Sequence, residues 1–124
     1  MKKEIKINPH GGRIISNVRI QGLAVAGYYL QLFEAESTDV IAGYSGSNES
    51  DHDNARTLPD LATDNMNRVL MLDTSIAVID EQIVDRTYTV SLEIYQDDHF
   101  VDAAIDVGQL SGEVQHSLIL VKLV

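Results

Sequence analysis

Two short runs hold most of the chemistry-bearing side chains of this 124-residue chain. The first, Asn48-Glu49-Ser50-Asp51-His52-Asp53-Asn54, is the densest set of oxygen donors. Calcium takes roughly six to eight such oxygens from a flexible loop, so Asp51, Asp53, Asn54 and Asp60 form a candidate calcium set. The run is not an EF-hand: counted from Asp51, Arg56 falls where glycine is needed and Ala62 where a bidentate glutamate belongs. A solvated acidic loop is the preferred reading of this run, with an irregular calcium site as the alternative. The second run, Asp97-Asp98-His99 with Asp102 behind it, offers three carboxylates, two of which could form a pair. Such a pair serves as acid and base when one member is desolvated, but no apolar setting flanks it, and hairpin-turn chemistry accounts for Asp97-Asp98 without a reaction.

Other chemistries find little support. Without cysteine there is no disulfide, thiolate nucleophile or Cys-based metal site. His10, His52, His99 and His116 lie in four segments and lack the paired spacing of zinc ligands. Gly43-Tyr44-Ser45-Gly46 lacks the spacing of a serine nucleophile elbow, and Gly11-Gly12 reads as a turn. Tyr44 and Tyr95 join Asp97, Asp98 and His99 as candidate ligand-binding residues. Tyr95 falls on the polar face of its strand beside Glu93, where a ring stacks on a sugar or pairs across strands. The absence of tryptophan argues against a lectin.

The net charge of −10 is unevenly distributed. Residues 1–22 carry five Lys/Arg against one Glu, giving +4, and the remainder carries four against eighteen, giving −14. An acidic body repels phosphates, so nucleic acid and anionic membranes are poor partners. The basic start is expected to pair with acidic groups of the same molecule or of a neighbour. No apolar run approaches the ~20 residues of a membrane span, and Met1-Lys2-Lys3 does not open a secretory signal. The expected location is cytoplasmic, or within an extracellular structure assembled without Sec export.

These groups must be positioned by strands. Thr87 to Tyr95 alternates Tyr88, Val90, Leu92 and Ile94 with polar residues, the period of a half-buried strand. After the polar gap 96–99, Phe100 to Val107 places Val101, Ala103, Ile105 and Val107 on one side and Asp102 and Asp106 on the other, completing a hairpin. Val114 to Val124 is apolar at nearly every position from Leu118, as for a strand that is central or covered on both faces. Upstream, strands are expected around Ile5 and Ile7, over 13–21, over 28–35 and over 40–44. Val69 to Leu72 reads as a short strand and Ile76 to Val84 as another, though Ile76, Ile79 and Ile83 also fit one helical face.

Between these blocks, Gly43 to Arg68 is a long polar tract, expected as a loop or insertion in one domain spanning 1–124. Within it, Thr57 to Met66 has the composition of a short helical turn, with Thr57 as cap and Leu58, Leu61 and Met66 pinning it. That leaves Ser45 to Arg56 as the loose part. Seven to nine short strands predict an all-β, antiparallel two-sheet β-sandwich with at most one helical turn near 57–66.

The segment Ser16 to Gly46 resembles the opening of transthyretin-like modules, the prealbumin-like group that includes Cna-B repeats. The resemblance rests on Val18 to Gly22, Val25-Ala26-Gly27, Tyr28 to Ala35, the acidic turn Glu36 to Asp39, and Val40 to Tyr44. It covers about a quarter of the chain and implies a sandwich. In Cna-B-like modules it also implies a Lys to Asn or Asp isopeptide bond, for which Lys2, Lys3 or Lys6 would need Asp102 or Asp106, since the last strand has no Asp or Asn.

The expected function is a non-catalytic module in protein binding or self-assembly, a surface or particle component forming homo-oligomers or holding a protein partner. The alternative is a calcium- or carbohydrate-binding module using the 45–64 loop and the 96–102 turn. A hydrolase with a carboxylate pair comes third.

Overall fold

A computed structural model describes residues 1–48 and 54–124. Among these residues, nine strands form two sheets: β1 Lys2–Ile5, β2 Ile14–Gly22, β3 Val25–Phe33, β4 Val40–Ser47, β5 Ala55–Thr57, β6 Val69–Ala77, β7 Thr87–Gln96, β8 His99–Gln109 and β9 Val114–Leu123. One sheet runs β1-β9-β6-β3-β4 and the other β5-β2-β7-β8. Every pairing is antiparallel except β1 with β9, where Lys2 to Ile5 run parallel to Leu120 to Leu123. The expected two-sheet sandwich is therefore observed. No helix among the described residues is long and apolar enough to cross a membrane.

Strand alternation builds the core. Leu30, Leu32, Leu70, Leu72, Ile119, Val121 and Leu123 from one sheet face Ile14, Val18, Val90, Leu92 and Ile94 from the other, all buried. Leu58 and Ile5 complete this apolar half. Toward the ends bearing Gly22, Ala77 and Val114 the interior turns polar: the Tyr28 hydroxyl donates to Asn54 Oδ1 (2.9 Å) and Ser117 Oγ donates to Asp106 Oδ2 (2.6 Å). Thr74 Oγ1 is buried there with no hydrogen-bond partner among the described residues.

Several expected boundaries shift. The strand beginning at Val69 runs through Asp73-Thr74-Ser75 to Ala77, because Asp73 and Ser75 point to solvent while Thr74 points inward. The run 76–84 is thus neither one strand nor a helical face: it leaves the sheet after Ala77, and Ile79 and Val84 are exposed. The described part of the polar tract supplies the end of β4, all of β5 and a 3-10 turn at Ala62–Asn65. Thr57 belongs to β5 and does not cap that turn, and Leu61 lies exposed at its start. Leu58 is buried and Met66 packs alongside, as expected of pinning residues, Ala62 takes the place of Leu61, and buried Asn65 donates to the carbonyls of Pro59 (2.9 Å) and Leu61 (3.2 Å). Arg68 clamps the turn to the β3–β4 connection through a two-nitrogen fork onto Glu34 and a bond to Asp60.

β9 lies inside its sheet, as its apolar sequence implies, but this chain covers only one of its faces, leaving Leu118 47% exposed. On β8 the side read as apolar is split by an irregularity opposite Ile94 and Tyr95: Val101 packs against the core, whereas Ile105 and Val107 turn outward. Opposite the inward residues Leu92 and Val90 stand Ala104 and Asp106, so Asp102 and Asp106 point into the sandwich margin while Ile105 and Val107 face water.

Candidate functional site

The β7–β8 hairpin turns through Asp97 and Asp98, both with positive φ (56° and 61°), a conformation that suits two-residue hairpins and that Asp tolerates. The Asp97 carboxylate is tied to the 8–12 turn: its Oδ1 accepts from Gly12 N at 2.9 Å. Gln96 fastens the same 8–12 turn, accepting from Asn8 N and donating to the carbonyls of Asn8 and Gly12. These bonds fasten the hairpin tip to the 8–12 turn. His99 pairs with Gln96 at the base of the hairpin.

Asp98 and Tyr95, in contrast, share a shallow groove of about 310 Å³ on the outer face of the smaller sheet, together with Ile15, Asn17 and Ala55. Strand register creates it: Ile15 lies opposite Tyr95 on one side and Thr57 on the other, and Asn17 lies opposite Glu93 and Ala55. Asn17 Nδ2 donates to Glu93 Oε1 at 2.7 Å, the Tyr95 hydroxyl donates to the same oxygen at 3.3 Å, and Arg19 approaches it at 3.7 Å. Burial, and then the Glu93 charge, raise the Tyr95 phenol above its ordinary value, so it remains a neutral donor. Phe100 packs edge-on against Tyr95, with centroids 5.7 Å apart and planes at 72°, and is itself 56% exposed. Beyond Phe100 the outer face of β8 continues with Ile105 and Val107.

The other candidates lie elsewhere. Tyr44 is on β4, opposite Leu30, with the Arg56 guanidinium 5.9 Å from its ring centroid, which closes the β4–β5 margin of the sandwich. Of the calcium set, Asp51 and Asp53 lie outside the described residues. Asn54 is held by Tyr28, and Asp60 Oδ2 accepts from Arg68 at 2.8 Å. Those two side chains have separate partners. Among the described residues no group of three or more His, Asp or Glu could hold a metal ion. A wider cleft of about 750 Å³ lies between the 78–86 loop and the β8–β9 turn, but its cation, Arg86, is engaged by the carbonyls of Ile83 and Glu81.

The basic start does meet the acidic body. Lys3 Nζ contacts Asp102 Oδ1 at 3.1 Å and the Ala103 carbonyl at 2.9 Å. Asp102 also accepts from its neighbour's amide, Ala103 N, at 2.8 Å; that bond first, and then Lys3, hold its carboxyl below the usual range. Beside Lys2, Lys6 and Asp106, Lys3 and Asp102 are among the groups that the transthyretin-like resemblance offers for an isopeptide bond. Both side chains are more than a third exposed, and no third carboxylate or histidine clusters with them among the described residues. They form an ion pair that closes the β1–β8 margin.

Phe100 is exposed, as expected of an aromatic binding candidate, whereas nothing in the sequence marks Asn17, Ile15 and Ala55 as neighbours of Tyr95. The outward period of β2 was visible in Ile15 and Asn17; the pairing that sets them beside Tyr95 was not. Comparison with protein-family models, with curated proteins and with solved structures finds no match to this chain.

Proposed function

We propose that the chain is a non-catalytic β-sandwich that works by protein binding or self-assembly. The observation that carries this reading is the placement of apolar side chains on the outer faces of both sheets. Phe100, Ile105 and Val107 line β8 on one, and Tyr29, Val40 and Leu118 stand on the other, all about half exposed or more. Apolar groups arranged along strands are suited to burial against another protein surface. The carboxylates of Asp97 and Asp60 are engaged by Gly12 and Arg68, which favours structural roles for these two over an acid–base pair. Sedimentation equilibrium tests the reading: a mass above 13.7 kDa that grows with concentration is expected. A strict monomer that also takes up no protein partner overturns it.

The Tyr95 groove favours a second reading, carbohydrate binding, since it sets aromatic rings beside Asn17 and Asp98. Titration with short oligosaccharides followed by tyrosine fluorescence tests it; an unchanged signal removes it.

A further inference from the structure

Each exposed strand edge offers peptide groups to another strand unless something blocks it. Among the described residues, most edges of this sandwich are blocked from within. β1 and β5 are short, with four and three residues, and β1 carries Lys2 and Lys3. On β4, Arg56 donates to the Ser45 carbonyl (3.4 Å) and Asn54 to the Ser47 carbonyl (3.3 Å). The first half of β8 is blocked by its own contacts: Lys3 takes the Ala103 carbonyl and Asp102 takes the Ala103 amide.

The second half of β8 differs. Leu110 N donates to Arg86 O at 2.8 Å, and the Thr87↔Gln109 register continues that pairing. In an antiparallel ladder the hydrogen-bonded pairs alternate. Gly108 and Asp106 therefore bond to β7, while the N–H and C=O of Ile105, Val107 and Gln109 point outward, as those of Ala103 do. Nothing among the described residues meets them, and Ile105 and Val107 are 50% and 61% exposed.

We propose that a second copy of this chain pairs here, β8 against β8, antiparallel about a two-fold axis at Val107. This rests on the assembly reading above and names its surface. Val107 lies opposite Val107, and Ile105 opposite Gln109, so the outward peptide groups of each copy meet their complements in about six hydrogen bonds. Like charges are not opposed, because Asp106 falls opposite Gly108 and is already bonded to Ser117. The register carries Lys3 of each copy toward the β8–β9 turn of the other, where Glu113 is exposed, giving opposite charges at both rims. The two smaller sheets become one continuous sheet of eight strands with the Ile105 and Val107 side chains along its seam.

The sign of the salt dependence follows. Within each copy Lys3 already pairs with Asp102 and Arg19 with Glu93, so joining two copies of charge −10 is opposed by long-range repulsion that salt screens. Dimerisation strengthens from low to moderate salt.

The test is sedimentation equilibrium of the full chain and three variants at low and moderate salt, with circular dichroism to confirm folding. Val107→Pro removes an N–H that the monomer does not use, Val107→Lys puts a charge on the seam, and Leu118→Lys charges the opposite sheet. Both Val107 variants are expected to weaken dimerisation at least tenfold while Leu118→Lys leaves it unchanged. Should Leu118→Lys abolish the dimer and the Val107 variants preserve it, the β8 pairing is wrong and assembly uses the other sheet. A wild-type monomer at every concentration overturns the pairing and leaves only a different protein as partner.

Discussion

Arg68 allows the most quantitative test of how the polar tract is held. Its Nε and Nη2 donate to the two oxygens of Glu34, each at 3.2 Å, and its Nη1 donates to Asp60 Oδ2 at 2.8 Å and Asn65 Oδ1 at 3.2 Å. Arg68→Met keeps much of the stem volume and deletes the fork. The two carboxylates are roughly half exposed and regain water. Asn65 does not: it is fully buried, and its Oδ1 is left without a donor. A stranded buried acceptor costs about 1–3 kcal/mol. With an unfolding entropy near 2.1 cal/mol/K per residue, a chain of this length loses about 4 °C per kcal/mol, so Tm falls by about 4–12 °C. Urea unfolding read by far-UV circular dichroism should show a lower midpoint at unchanged slope. Glu34→Gln, which leaves the Arg68–Asn65 bond in place, should give a smaller shift. A change below about 0.5 kcal/mol for Arg68→Met, or an equal loss for Glu34→Gln, would refute the assignment of the cost to Asn65.

Four further outcomes are expected. Thr74→Val removes the one buried hydroxyl lacking a partner among the described residues and should raise stability by about 1 kcal/mol in urea titration. Gly108→Ala should destabilise by about 1–3 kcal/mol, because its Cβ would stand 2.7–2.9 Å from the buried Tyr88 ring and hydroxyl. Acid should destabilise the fold: Glu34, Asp85 and Asp102 have lowered pKa values, so their contribution is present above the ordinary carboxylate range and is lost as pH falls below about 4. Asp102→Asn should flatten the part of that loss assigned to Asp102, as read by Tm against pH. Millimolar calcium should leave Tm unchanged, since Asp60 is bound to Arg68; a rise that EDTA reverses would restore the calcium reading with Asp51 and Asp53 at its centre.

The sequence made β7 and its hairpin legible because alternation there is unbroken and the turn residues are unambiguous. Alternation reveals a period without saying which side is inside, and β8 shows the difference. Its Ile105 and Val107 face out because the inward side lies at the sandwich margin, where Asp102 and Asp106 find Lys3 and Ser117. In β6 the polar triplet Asp73-Thr74-Ser75 hid a nine-residue strand, since two of the three point to solvent. The 3-10 turn was visible in composition, but its anchors were not: Asn65 and Arg68 act through partners on β3's far end and on the 59–61 segment. The groove candidates divided in the same way, Tyr95 and Asp98 converging through register and Asp97 and Tyr44 being used to fasten the scaffold.

The parallel pairing of β1 with β9 also governs how the chain reaches this fold. Lys2 and Leu120 are neighbours in the larger sheet, so its margin forms only by closing a loop through almost the entire chain. The entropy of that closure must be met before the pairing returns any contact, and folds dominated by such distant pairings complete in milliseconds to seconds. The hairpin β7–β8 needs only a two-residue turn and can form far sooner. Until β1 docks and Lys3 reaches it, the Ala103 carbonyl stands open together with the outward peptide groups of Ile105, Val107 and Gln109. Docking of β1 therefore also closes one part of the edge at which unwanted pairing can begin.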